Sequence, residues 1–439
     1  MKPGFSFLSK AALAASLAVL SAAPSAFALD STFVGPRAMG MAGANVASVS
    51  DTSAQYYNPA AFGFFSRQAE GGGKSEHDAG NIGRKDWGAD LNGALGYRLH
   101  NQFGDYLDDL ARIDYTALSN SGMQSESDLK KLLDLFGNLS GLDDPANAIT
   151  GDSNIHGGIR YGHFGVGILG FMQGTGRVLK LDTDNLGTKV NATNLNADIA
   201  SFTVSGNDGQ TKLLNTTQQT KLSGAGLNTA SIQKIDFLLR QNEGKYTQEQ
   251  LDRLIELVQK FATQSSASSK PSMAAAAGSL ADNKTTVLLQ GYAVIEAPIS
   301  YGYAINDNWS VGGNLKLMQG IVYGNEVLVF NQKSGELLAD VTENTQETTT
   351  FGIDLGVMGR YSMFNVGLVG RNLNSPKLDG PTVKNKATNT TSRFRDVTIE
   401  PQVAAGIAFI PFETLTIEAD MDLTKNETTK RGYYTKNVI

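Results

Sequence analysis

Four histidines, His77, His100, His156 and His163, are the whole supply of imidazole in this chain of 439 residues, and it has no cysteine. Thiolate nucleophiles, disulfides and thiolate metal sites are therefore excluded together. Strand phase puts His156 on an inward face, which makes it the one histidine to consider as a base. No serine or carboxylate at a recognisable spacing orients it or offers a nucleophile, so hydrolysis has no constellation to work with. Gly165-x-Gly167-x-x-Gly170 matches a dinucleotide fingerprint on paper, but it lies inside an alternating strand with no helix after it. A phosphate cradle has no frame there. What remains is charge: Asp90, Arg98, Arg160, Glu296, Lys316, Asp354, Arg360, Glu400, Glu418 and Asp420, joined by His156 and Asp422, fall on one common face of their strands. Both signs are present. Pairing with one another, or holding water, is the expected role; tuning selectivity in a pore is the alternative. Neither a catalytic residue, a metal set nor a cofactor is expected.

The elements that carry those charges repeat one pattern. From Trp87 to Leu423, apolar residues recur at every second position with glycines, amides and charges between them. Trp309, Val311, Gly313, Leu315 and Leu317 fall on one side, and Ser310, Gly312, Asn314, Lys316 and Met318 on the other. A soluble sandwich also alternates, but its polar face is its outside and is usually rich in Lys, Glu and Thr. Here the polar face is rich in Gly, Asn and Asp, which suits a barrel lumen. An antiparallel transmembrane β-barrel in contact with outer-membrane lipid is the predicted fold.

The strands predicted are Trp87–Leu99, Ile155–Tyr161, Phe164–Leu179, Val287–Tyr303, Trp309–Tyr323, Thr349–Tyr361, Phe364–Arg371, Val397–Phe409 and Leu415–Leu423. Short turns and long loops alternate between them, as in barrels whose short turns face the periplasm. Trp87, Trp309, Tyr161, Tyr301, Tyr303, Tyr361 and Phe409 stand near strand ends, where interfacial aromatic girdles sit. Nine strands is an odd number for a closed bacterial barrel, and a tenth would begin at Tyr433. Lys436-Asn437-Val438-Ile439 reads as a strand cut short. Further strands beyond this chain, or closure with a partner, are expected; an eight-strand barrel with a tail is the other arrangement.

Before the barrel, Lys2 and Lys10 flank the start of an apolar stretch from Ala11 to Leu20, and Ala26-Phe27-Ala28 is a small-x-small cleavage site. Residues 1–28 read as a secretory signal peptide, which directs the chain to the outer membrane of a Gram-negative cell. Only 18% of residues are charged, 48 are glycine and the net charge is −6. Mean hydropathy is −0.19, normal when only alternate strand residues meet lipid. An acidic balance without clustered Lys and Arg argues against nucleic acid as a partner.

Residues 29–70 form a separate unit, with 71–439 the barrel and helical insertions near 103–140 and 228–262. Phe33 to Phe65 is too apolar for a solvated tail and too irregular for a strand. Packing inside the lumen and an ordinary periplasmic leader both fit it. In the first insertion Ser125 and Asp128 cap a helix through Leu129, Leu132, Leu133 and Phe136 that Gly137 stops. In the second, Ile232, Ile235, Leu238 and Leu239 precede a cap of Thr247 with Gln250 and a stripe of Leu251, Leu254, Ile255, Val258 and Phe261. These stripes are expected to pack on one another or on the barrel rim, in preference to holding a ligand. Ala262–Ala281 reads as a flexible linker.

Gly35-Pro36-Arg37-Ala38-Met39-Gly40-Met41-Ala42-Gly43-Ala44, followed by Asp51 and Tyr56-Tyr57-Asn58-Pro59-Ala60, resembles the amino-terminal hatch of the long-chain fatty acid transport (FadL) superfamily. The run Val366-Gly367-Leu368-Val369-Gly370-Arg371-Asn372-Leu373-Asn374-Ser375-Pro376, with Pro401-Gln402-Val403 and Leu415 to Leu423, is more narrowly similar to the TraF-type conjugal-transfer outer-membrane proteins within it. The thioredoxin-like conjugation protein that shares the TraF name needs cysteine and is excluded. The resemblance implies a barrel with a luminal hatch, in which Asn58, Pro59 and Ala60 belong to a plug that shifts to open a path. It also leads to an aromatic last residue, where this chain has Ile439. Three functions follow: a non-enzymatic conjugal-transfer or envelope-assembly protein with transfer or secretion partners, a passive channel for small hydrophobic molecules, or an outer-membrane enzyme, for which no dyad is found.

Overall fold

The computed structural model describes residues 27–29, 33–65, 87–113, 122–144, 146–187, 194–241, 244, 246–267, 282–328, 344–385, 390–412, 415–427 and 434–435. The signal-peptide expectation lies almost wholly outside them. Among the described residues, nine antiparallel strands form one curled sheet, each paired with its neighbour in the chain. They are β1 (Trp87–His100), β2 (Ala148–Tyr161), β3 (Phe164–Lys180), β4 (Thr286–Ala304), β5 (Trp309–Leu328), β6 (Thr345–Tyr361), β7 (Phe364–Arg371), β8 (Gln402–Phe412) and β9 (Leu415–Asp422). β1 and β9 are its edges. Beyond β9, Tyr434–Thr435 pairs antiparallel with Asn426 and Glu427, and Phe27–Leu29 runs parallel to Lys425–Glu427.

The apolar residues of this sheet are on its outside. Leu91 and Leu95 are 78% and 85% exposed, and Leu317 64%. Their neighbours Lys316 and Asp354 are 4% and 2% exposed. A water-soluble sheet would bury the leucines and expose the lysine, so this outer face is a lipid face. Trp87, Tyr161, Phe164, Tyr301, Tyr303 and Tyr361 ring the short-turn end, all exposed. Phe164 lies tilted against Tyr301 and Trp309 meets Tyr361 edge-on, with ring centroids 4.7 and 5.8 Å apart. Gly162 and Ser362, both at positive φ, turn the two-residue hairpins between β2 and β3 and between β6 and β7. Such turns match the twist of the strands they join.

One place in the wall is incompletely laced. Between β3 and β4, Val166 pairs with Ile299 and Leu169 with Glu296, but Gly167 and Ile168 have no paired residue opposite Pro298 and Ala297. Proline has no N–H to give to a ladder.

The two long loops on the other side fold together. Phe103–Arg112 (α1) and Glu126–Leu142 (α2) join β1 to β2, and Leu195–Ser201 (α3), Thr216–Gly224 (α4), Thr229–Arg240 (α5) and Gln248–Ala267 (α6) join β3 to β4. They share a core in which Leu129, Phe136, Ile199, Leu222, Ile235, Leu254 and Ile255 are at most 1% exposed. Gln250 Nε2 donates to the Tyr106 hydroxyl at 2.6 Å, tying one loop to the other. The Thr247 cap is reciprocal, since Gln250 N–H donates to Thr247 Oγ1 at 3.3 Å and Thr247 N–H to Gln250 Oε1 at 2.9 Å. At the loop stem the Asp182 carboxyl is opposed by burial. Hydrogen bonds from Asn185 and from the N–H groups of Lys284 and Asp184 outweigh that and hold its pKa below the usual range.

Three expectations need correction. Gly137 does not stop its helix, which runs on to Leu142, because a side chain there would overlap the Tyr246 ring; the glycine makes room. Ala262–Ala267 is the end of α6, with Ala262 and Ser265 buried at 1%, so it is no linker, and 268–281 lies outside the described residues. The strand expected over Val397–Phe409 is two pieces. Val397–Thr398 pairs with Lys377–Leu378, and the wall strand starts only at Gln402, after Pro401.

Placing a charge on the lipid face tests the orientation of the wall. Leu317→Arg is expected to destabilise the barrel by ~2–4 kcal/mol if Leu317 lies near the bilayer midplane. Equilibrium unfolding from lipid vesicles measures it, and a loss of well under ~1 kcal/mol would move this residue out to the headgroups.

Candidate functional site: the luminal plug and its cleft

Residues 33–65 fill the inside of the curled sheet. The segment has too little regular structure to stand alone: a five-residue helix Pro36–Gly40, a four-residue helix Ala54–Tyr57 and a 3-10 turn Pro59–Phe64. Yet Ala47, Val49, Ala54, Ala60, Ala61, Phe62 and Phe65 are all at 0% exposure. Of the two placements the sequence allowed, the lumen is the one observed.

The wall receives the plug on glycine. A Cβ on Gly312 would overlap the Pro59 carbonyl, one on Gly302 the Gly63 N–H and Phe62, and one on Gly367 the Val46 carbonyl. Gly165 and Gly167 belong to this set, clearing space for Phe62 and for the Gln55 amide, whereas Gly170 lies against Ile155 on the other face. The accidental fingerprint is thus two plug-facing glycines and one lipid-facing glycine.

Asn58-Pro59-Ala60 is the point of closest fit. Asn58 Oδ1 accepts from Ala60 N–H at 3.1 Å and caps the 3-10 turn, which Pro59 begins without an N–H to waste. Asn58 Nδ2 donates to the carbonyls of Val46 in the plug and Val357 in β6, both at 3.1 Å. Ala60 is 0% exposed, and its carbonyl accepts from Ser310 Oγ at 2.6 Å. Asn314 Nδ2 donates to the Gln55 carbonyl at 2.7 Å. Three wall arginines cover plug aromatics: Arg160 over Phe65 and Arg360 over Phe64 at 4.1 Å, and Arg371 over Tyr56 at 4.4 Å.

Most of the inward charges meet as the strand phase predicts. Lys316 Nζ lies 3.2 Å from Glu296 Oε2, 3.1 Å from Asp354 Oδ1 and 2.6 Å from Asn372 Oδ1. Glu418 and Asp420 accept hydrogen bonds from plug residues 45 to 48. His156 is fully buried, with Nδ1 3.4 Å from Asp90 Oδ1 and Nε2 3.5 Å from Gln55 Oε1. It contacts the plug through Gln55. Arg98 has the inward register, opposite Thr150, but is exposed near the loop end of β1. Glu400 is on no wall strand, since it precedes β8. Sequence reading missed Arg371 among the inward charges; the signal was its shared phase with the buried Asn365 of β7.

Above the plug is a small cleft of about 60 Å³, open to solvent. Tyr56 and the Glu296, Lys316 and Asp354 cluster line its depth, with Phe171, Tyr292 and Val294 around them. The loop between β7 and β8 folds in from the other end, burying Leu378 and Ile399 against Met318 and Val322. The cleft thus sets an apolar surface of Phe171, Tyr292 and Val294 beside the charged cluster.

Two substitutions test this geometry. Lys316→Met would leave two buried carboxylates facing each other, an expected loss of ~3–5 kcal/mol in denaturant unfolding. Gly312→Val should lift the plug from β5 and raise conductance in planar bilayers while the barrel keeps its heat-modifiable gel migration. Unchanged conductance and unchanged proteolysis of 33–65 would mean that the plug does not rest on Gly312.

Comparison with known structures found two crystal structures of the toluene transporter TodX of Pseudomonas putida. Each is 9% identical and matched over 77% of this chain, with TM-scores of 0.25 and 0.24, and the match spans 65% and 64% of those chains. No curated protein matches. The family model described as the F plasmid transfer operon TraF protein matches residues 55–422, from the end of the plug through the last wall strand. That is most of the chain, and the protein belongs to this TraF family.

Proposed function

We propose that this protein is a non-enzymatic outer-membrane component of conjugal transfer or envelope assembly, a plugged barrel whose loop-side helices dock transfer or secretion proteins. The observation that carries this reading is the division of labour in the chain. The lumen is filled by a plug seated on glycine, while the loops invest six helices in a core of their own. A passage alone has no need of such a core, whereas a docking platform must hold its shape outside the membrane. Membership of the TraF family supports the process, and the lipid-facing wall supports the location.

The second reading is a FadL-like passive channel for small hydrophobic molecules. The cleft favours it, because Phe171, Tyr292 and Val294 offer an apolar surface beside polar groups. The two readings separate in one experiment on a donor strain lacking the gene. Charge reversal at the exposed helix residues Lys130 and Glu249 should lower mating frequency at unchanged barrel level, and Val294→Trp, which fills the cleft, should not. The reverse pattern, with reduced uptake of a small aromatic hydrocarbon in the cleft variant, would replace the docking role by the channel.

A further inference from the structure

The plug's contact with β9 differs in kind from its other contacts. Elsewhere glycine, amides, hydroxyls and the planes of three arginines meet it, but here four donors from consecutive plug residues converge on two carboxyls. Asp420 Oδ2 accepts from the Asn45 N–H at 2.7 Å and the Val46 N–H at 2.9 Å. Glu418 Oε1 accepts from the Ala47 N–H at 2.7 Å, and Glu418 Oε2 from the Ser48 hydroxyl. Glu418 and Asp420 are two residues apart on one strand, so both project inward, within hydrogen-bonding reach of each other.

Every one of those plug donors is neutral. The charged groups that face the pair come from three elements. Arg37 of the plug binds Ser48 and Asn45 and reaches the acids only through them. Arg371 of β7 acts on Asp420 across space without an ion pair, and Asp422 adds a further acid to the same face of β9. Among the described residues no salt bridge engages either carboxyl. Asp420 is 7% exposed, and its Oδ1 is buried with no hydrogen-bond partner. Two carboxylates in contact in a dry site repel each other, and one proton between them turns that repulsion into a hydrogen bond. The open oxygen of Asp420 is where such a proton would be received.

We propose that Glu418 and Asp420 share a single proton and that this proton latches the plug to β9. With it in place, the Glu418 carboxyl donates to Asp420 Oδ1, and the other oxygens stay aimed at residues 45 to 48. When it is lost, two adjacent anions push apart and the four plug donors lose their common target. The latch works whichever partner or solute the barrel serves.

Hydrogen exchange read by mass spectrometry on the whole protein in lipid tests this. Protection of the amides at 45 to 47, corrected for intrinsic exchange, should fall about tenfold or more between about pH 6 and about pH 9, while the β8 amides hold steady. Glu418→Gln and Asp420→Asn each put an amide N–H in place of the shared proton, so each should keep the plug protected across that range. A flat profile in the unmodified protein overturns the proposal, as does a fall of equal size in both variants. Should one variant fail to form the barrel, the other and the unmodified protein still decide.

Discussion

The wall can receive a plug because it carries glycine at the points where the plug backbone touches it. At Gly302, Gly312 and Gly367 a single methyl group would strike the plug backbone. Backbone-to-backbone approach of this kind brings carbonyls and N–H groups of residues 45–63 within reach of short wall side chains such as Ser310 and Asn314. Those bonds let a segment with hardly two turns of helix bury its polar backbone, which would otherwise be costly. A plug with so little internal structure is folded by the wall.

Charge is distributed in two ways around the plug. Ser310 and Asn314 meet it as neutral donors, whereas Glu418 and Asp420 take the N–H groups of residues 45 to 47. Other inward charges neutralise one another. Lys316 meets Glu296, Asp354 and Asn372 beneath the cleft, a cluster whose worth lies in full satisfaction, because any member left alone would be a buried unpaired charge. Outside the lumen the loops follow ordinary rules of soluble proteins. Their acids cap helices or collect N–H groups, as Asp236 does from Lys212, Leu213 and Leu214, and their leucines face inward.

Period-two alternation makes the wall legible in the sequence: β1, β3, β4, β7 and β9 match their predicted bounds to within a residue, whereas β2 starts at Ala148 instead of Ile155, β5 runs on to Leu328 and β6 starts at Thr345. The eighth is displaced at its start, where Ile399 and Glu400 continue the alternation but Pro401 separates them from the ladder. Phase places Glu296, Lys316 and Asp354 together on the inner face, since a two-residue repeat leaves only two faces, but it misplaces Glu400, which is on no wall strand, and Arg98, which is exposed. Two helices, α3 and α4, fall outside the predicted helical insertions because they are short and carry few apolar residues, whereas α1 lies within the first insertion. Gly137 was misread because helix-stopping and helix-packing glycines look alike until the neighbouring Tyr246 is known. The plug's location was open in the sequence for a related reason. Its irregular run of small residues has no period, and its partner surface is assembled from at least seven strands, β2 to β7 and β9, farther along the chain.

Wall and plug depend on each other most visibly at Pro298. The ladder between β3 and β4 lapses there, opposite Gly167, and at that position the Gln55 side chain of the plug lies against the wall. Gln55 Nε2 donates to Ser300 Oγ at 3.2 Å and its Oε1 faces His156, so one plug residue spans β2, β3 and β4 where the two inner strands are least well joined. A wall laced throughout would not need this bridge, and a plug held only by apolar contact could not supply it. Plug contacts are therefore part of what holds the sheet together, and a movement that released Gln55 would loosen β3 from β4 at the same time as it opened the lumen.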